Sequence, residues 1–148
     1  MLKVGDQVPD FISKDQDGTI IKLSDFQGKK LIVFFYPRAN TPGCTAEACN
    51  LRDNYNSLKA AGYELLGVSE DSARKQTNFK NKYELPFPLL SDEDHTVINA
   101  FGVWGPKKFM GREFEGILRT TFLIDEDGVV ERVIDKVKTK DHAAQILD

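Results

Sequence analysis

At 148 residues the chain has the length of a single domain, 1–148, and its 41% hydrophobic and 29% charged residues exclude wholesale disorder. A formal net charge of -3, with lysines spread along the chain, leaves no electrostatic footprint for nucleic acid or an anionic membrane surface. No apolar run approaches a membrane span and Met1 to Asp6 carries no leader pattern, so the expectation is a cytoplasmic protein whose two cysteines do not form a permanent bridge.

Phe11-Ile12 and Ile20-Ile21-Lys22-Leu23 flank Asp15-Gln16-Asp17-Gly18, which predicts an N-terminal β-hairpin over Asp10 to Leu23. Ser24 and Gln27 at capping-box spacing, with Gly28 beyond, predict one helical turn. Leu31 to Tyr36 is the most apolar run and predicts a strand buried on both faces. After a loop over Pro37 to Asn40, Thr41 can cap a helix that has Pro42 at its first position and runs to about Ala61. At about 100° per residue, Cys44, Ala48, Leu51, Tyr55 and Leu58 fall within about 40° of one line, a core-facing stripe. Gly62 ends that helix. Tyr63 to Val68 then completes a β-α-β unit with parallel strands and a right-handed crossover.

A further helix starts between Ser69 and Ala73 and extends to about Tyr83, followed by a short strand over Pro86 to Leu90 and a short helix over Asp94 to Phe101. Gly102 to Gly116, with four glycines and a proline, predicts the longest irregular stretch. Its Trp104, Phe109 and Phe114 fit a satellite cluster beneath that loop, or the lining of a ligand or partner surface. Strands over Leu118 to Ile124 and Val129 to Ile134 join across Glu126-Asp127-Gly128, and a helix over Thr139 to Leu147, with Asp141 in its first turn, closes the chain.

Cys44 falls in the first turn of the helix behind Thr-Pro-Gly, where free amides and the positive end of the dipole favour a thiolate; the alternative is a small buried hydrophobe. Cys49 lies five residues on, rotated about 140° and about 7.5 Å further along an intact helix. The sulfurs then point apart, which disfavours a structural disulfide, while one formed in turnover by unwinding the first turns remains open. Arg119 interrupts an apolar strand. It either faces the neighbouring helix end, where it would stabilise a thiolate, or turns outward to an acid such as Glu113 or Glu115. Glu47 and Arg52 read as solvated helix residues rather than catalytic ones, with a hydrogen bond near the pocket the alternative for Glu47. The Asp-Gly turns lack the remaining ligands of a calcium loop, and Cys44, Cys49, His95 and His142 lack zinc-ligand spacing, so no metal is expected.

The string Tyr36-Pro37-x-x-x-Thr41-Pro42-Gly43-Cys44-Thr45-x-Glu47-Ala48-Cys49-x-x-Arg52-Asp53 resembles the active-site signature of peroxiredoxins, in their PrxQ or bacterioferritin comigratory protein subgroup. The likeness extends to Gly5-Asp6-x-x-Pro9-Asp10-Phe11, Leu66-Gly67-Val68-Ser69 and Arg119-Thr120-Thr121-Phe122-Leu123-Ile124-Asp125. It implies an α/β thioredoxin-like fold, a central mixed sheet flanked by helices, and a peroxidase without an organic cofactor. Cys44 is then the peroxidatic cysteine and Cys49 the resolving one. Thr41, Gly43 and Arg119 bind the peroxide, Pro37 shields the pocket, thioredoxin or a similar dithiol is the reductant, and the protein is a monomer. A general thiol-disulfide oxidoreductase is disfavoured by the absence of Cys-x-x-Cys spacing, and a redox-responsive binding module would oxidise without turning over.

Overall fold

The computed structural model describes residues 1–148, with strands β1 (Ile12–Lys14), β2 (Ile20–Lys22), β3 (Lys30–Phe35), β4 (Tyr63–Ser69), β5 (Leu89–Ser91), β6 (Trp104–Phe109), β7 (Arg112–Ile117), β8 (Thr120–Ile124) and β9 (Val130–Ile134). The helices are α1 (Pro42–Asp53), α2 (Tyr55–Ala60), α3 (Ala73–Tyr83), α4 (Thr96–Phe101) and α5 (His142–Leu147). Five strands form one mixed sheet in the order β5-β4-β3-β8-β9, parallel from β5 to β3 and antiparallel from β3 to β9. Apolar side chains run without a break from Leu31 to Tyr36, along β3 and one residue beyond, and they serve two cores. Ile32, Phe34 and Tyr36 pack with Leu51, Leu58, Phe79 and Ile146 of α1, α2, α3 and α5. Leu31, Val33 and Phe35 pack on the other face with Phe11 and with Val97, Ile98 and Phe101 of α4. Burying each such side chain contributes about 1.5–3 kcal/mol, which makes β3 the fixed frame from which the following loop and α1 project.

The N-terminal hairpin, the β-α-β unit and the β8–β9 hairpin form as the sequence predicts. Several boundaries differ. The long helix breaks at Asn54, whose φ is -109°; its backbone N–H still donates to the Asn50 carbonyl, and its side-chain amide donates to the same oxygen at the end of the first helix. The turn before β3 is a 3-10 turn over Leu23–Phe26, and its leading amide, Lys22 N–H, is held by Asp25 rather than by a Ser24–Gln27 box. The strand predicted over Pro86 to Leu90 begins only at Leu89, past both prolines.

The largest departure is Gly102 to Gly116, which is a hairpin rather than a loop, paired from Trp104↔Ile117 to Phe109↔Arg112. Met110 and Gly111 at its tip have φ of 52° and 79°, the two positive values that a two-residue hairpin turn of type I′ requires. Phe109, Met110 and Phe114 stand exposed on it, so the satellite cluster does not form; Trp104 alone packs back, against the core and the His95 ring. Because β7 ends at Ile117 and β8 starts at Thr120, Arg119 lies in the joint between two strands, not within one.

Candidate functional site

The site is assembled where β3 ends. Phe35 pairs with Thr120, the first residue of β8, so the Arg119 joint is brought beside the segment that leaves β3 for α1. Pro37 is half-buried in that segment and Asn40 adopts a φ of 63°. The loop is fixed from below: the buried Asp71 carboxylate accepts from Ala39 N–H at 2.7 Å and from Ser69 Oγ at 2.7 Å. Gln76 continues this network, donating to Ser69 Oγ and accepting from Tyr36 Oη at 2.6 Å.

Thr41 has the extended backbone of an N-cap residue, yet its hydroxyl does not cap; Oγ1 donates to the Arg38 carbonyl at 2.7 Å instead. The amino end of α1 is thereby left without a side-chain cap, with Cys44 in its first turn and only 1% exposed. Arg119 reaches over this end. Its Nη2 donates to Cys44 Sγ at 3.3 Å and Nη1 to Glu47 Oε1 at 2.7 Å. A Cβ added at Gly43 would meet Nη2 at 3.3 Å, so glycine there leaves the guanidinium room to lie close to the helix backbone.

Arg119 therefore does not pair with Glu113 or Glu115, and Glu47 is not a solvated helix residue: its side chain is fully buried. Burial pushes the Glu47 carboxyl up from 4.5 to about 7, against the pull of Arg119. For Arg119 burial opposes the charge, but the adjoining Cys44 and Glu47 outweigh it and its pKa is raised. A fixed guanidinium against Cys44 Sγ at an uncapped helix end supplies positive charge beside the sulfur and leaves further guanidinium donors unused.

Cys49 is half-buried on the same unbroken helix, and both cysteines are free thiols. The structure thus brings together Cys44, Gly43 and Arg119, places Thr41 and Pro37 on the adjoining loop, and holds Cys49 away. Of the two readings of Glu47, the hydrogen bond near the pocket is the one that forms, three residues after Cys44 and beside the buried stripe. His142, buried on α5 with Nε2 3.6 Å from Glu47 Oε2, gave no local signal. A cavity of about 450 Å³ lies at the opposite end of β3 and β8, lined by Leu31, Ile124 and Asp125, and is remote from Cys44.

The AhpC/TSA family model matches residues 4–133. Over 147 residues the chain is 52% identical to Peroxiredoxin Bcp of Escherichia coli (strain K12), a match covering 99% of this chain and 94% of that one. Among solved structures, peroxidoxin BcpB from Mycobacterium tuberculosis gives a TM-score of 0.87 at 39% identity, covering 99% of this chain and 95% of that one. The Xanthomonas campestris bacterioferritin comigratory protein, solved in trapped intermediate and ligand complexes that bear on its alkyl peroxide reduction activity, gives 0.86 at 36% identity over 93% and 87% of the two chains.

Proposed function

This chain belongs to the AhpC/TSA family as a peroxiredoxin of the Bcp and PrxQ type, a family of thiol peroxidases, and from that membership we propose how its own residues carry the reaction. Cys44 is the peroxidatic residue. Its thiolate attacks one oxygen of a hydroperoxide, the O–O bond breaks, and the departing alkoxide or hydroxide takes a proton to leave as alcohol or water, with Cys44 oxidised to sulfenic acid. Arg119, Thr41 and the Gly43 backbone hold the peroxide and stabilise the charge that moves onto the leaving oxygen, while Pro37 screens the site from water. The first turns of α1 then unwind, and the Cys49 sulfur displaces hydroxide from the sulfenic acid to give an intramolecular disulfide and water. A dithiol such as thioredoxin reduces that disulfide and becomes oxidised itself.

The observation that carries this reading is the 3.3 Å contact of Arg119 Nη2 with Cys44 Sγ at an uncapped helix end. The alkyl peroxide activity named for the Xanthomonas campestris relative supports organic hydroperoxides as substrates alongside hydrogen peroxide. In this reading the chain works as a single-domain monomer in the cytoplasm. The test is mass spectrometry of reduced protein mixed with one equivalent of peroxide. A Cys44–Cys49 disulfide is expected, with Cys44→Ser inactive and Cys49→Ser accumulating sulfenic or sulfinic acid on Cys44; peroxidase activity surviving in Cys44→Ser would overturn the assignment.

A further inference from the structure

Behind Arg119 lies a second buried pair that the reaction above does not use. Glu47 Oε1 is taken by Arg119, but Oε2 is buried without a hydrogen-bond partner, 3.6 Å from Nε2 of an equally buried His142. The tautomer of His142 follows from its neighbour. Gln145 Oε1 accepts from Lys138 N–H at 2.9 Å and its Nε2 donates to the Lys136 carbonyl at 3.0 Å, which fixes the orientation of the amide. His142 Nδ1, 2.8 Å from that same Oε1, must therefore carry a hydrogen. In the neutral ring Nε2 is then a lone pair, shared between the Thr121 hydroxyl at 2.7 Å and the side on which Glu47 Oε2 lies.

We infer that Glu47 and His142 jointly hold one exchangeable proton, and that this proton decides how much of the Arg119 charge is left to act on Cys44. With the proton on Glu47 no carboxylate draws on Arg119, and with it on His142 the imidazolium offsets the Glu47 carboxylate from behind. With the proton gone a carboxylate competes for the same guanidinium. His142 is thus a positioning residue acting through Glu47 and Arg119, and its bearing on catalysis rests on the proposed role of Cys44.

Burial lowers the pKa of His142, with the Arg119 charge adding to the effect against a hydrogen bond to Gln145, and burial raises that of Glu47, so neither holds a full charge readily at neutral pH. The titratable groups around the pair are Cys44, on the helix that carries Glu47, and Arg119 from the β7–β8 joint. Lys107 on β6 interacts with Arg119 and Cys44, and its ammonium donates to the Ile117 carbonyl.

The test uses Cys49→Ser protein, in which Cys44 is the sole cysteine, and follows the ultraviolet absorbance of its thiolate against pH. Coupled groups titrate as a set, so the parent curve should be broadened across the range in which Glu47 loses its proton. E47Q removes the competing charge and should raise the thiolate-to-thiol ratio about threefold or more at neutral pH, with a simple one-step curve. H142Q, whose amide can donate permanently to Oε2, should hold Glu47 ionised and lower the ratio by a similar factor. H142N can keep the bond to Gln145 but faces Oε2 with nothing, and should move toward E47Q. Opposite shifts from two substitutions at one position cannot come from loosened packing alone. Equal shifts in H142Q and H142N, or none, would overturn the inference. The readout needs no peroxide, so the proton pair stands or falls independently of the peroxidase chemistry of Cys44.

Discussion

The Arg119 guanidinium donates from Nη2 to Cys44 Sγ across 3.3 Å while Glu47 holds its Nη1 at 2.7 Å. One planar group thus joins the Cys44 sulfur to a buried anchor. Lysine carries the charge but not the fork, so it cannot keep both contacts. Arg119→Ala should slow oxidation of Cys44 by peroxide about 100- to 1000-fold, the range for removing a preorganised donor from a transition state. Arg119→Lys should recover only a small part of that loss. Stopped-flow measurement of peroxide consumption decides it: a lysine variant within a few-fold of the parent would show that charge without geometry suffices.

The buried Glu47 makes stability depend on pH with a defined sign. Its carboxyl ionises near 4.5 in the unfolded chain and near 7 in the folded one, where burial outweighs Arg119. Between those values the native state binds more protons than the unfolded state, so stability falls as pH rises. The contribution is fully present below about pH 4.5 and is lost on passing through about pH 7. Its size is on the order of 3 kcal/mol, or roughly 6–12 °C in Tm for a chain of this length. Thermal melts of the parent and Glu47→Gln at pH 4.5 and 7.5 should show the gap between the two changing in that direction. A constant gap would mean that Glu47 does not titrate across the range.

Asp71 supports the loop that carries Pro37 and leads to Thr41, through Ala39 N–H and Ser69 Oγ. Asp71→Ala leaves a buried amide unpaired and should cost about 1–3 kcal/mol. Because the loop is displaced rather than the sulfur, the rate with peroxide should fall while the alignment of α1 is kept. Hydrogen exchange at Ala39, compared with Cys44 and Thr45, reads this directly. Equal loss of protection at all three would mean that the helix itself depends on Asp71.

How much of this arrangement the sequence carried depends on how local each cause is. The apolar run Leu31 to Tyr36 and the Thr-Pro-Gly-Cys start of α1 are local signals, and both elements form where those signals place them. The β6–β7 hairpin was hidden because Gly105, Pro106 and Gly116 interrupt the alternation by which strands are read, while Met110-Gly111 is an uncommon pair for its turn. Arg119 was conspicuous as a charge in an apolar run, but its partner is chosen by sheet register: Phe35 opposite Thr120 sets it over α1, and no spacing within either strand contains that pairing. Asp92, which accepts from the Val97 and Ile98 amides of α4, escaped for a related reason, since a cap from so far upstream follows no capping-box spacing.

The proposed unwinding of α1 must break its ties to the C-terminal segment, and Asn50, next to Cys49, makes two of them. Its Nδ2 donates to the Lys140 carbonyl at 3.1 Å and its Oδ1 accepts from Ala143 N–H at 2.8 Å. Those bonds favour the folded helix, in which the cysteines stay apart, and oppose the unwound form in which they meet. Asn50→Ala removes both and leaves the Ala143 amide without its acceptor, which should cost the folded helix about 1–3 kcal/mol and raise the unwound population roughly 5- to 150-fold. Disulfide formation then competes better with a second peroxide for the Cys44 sulfenic acid. Mass spectrometry after turnover in excess peroxide should find less sulfinic acid on Cys44 in Asn50→Ala than in the parent, alongside a lower Tm. Sulfinic acid equal to the parent's, with the Tm lowered, would place the rate-limiting opening elsewhere than the Asn50 contacts.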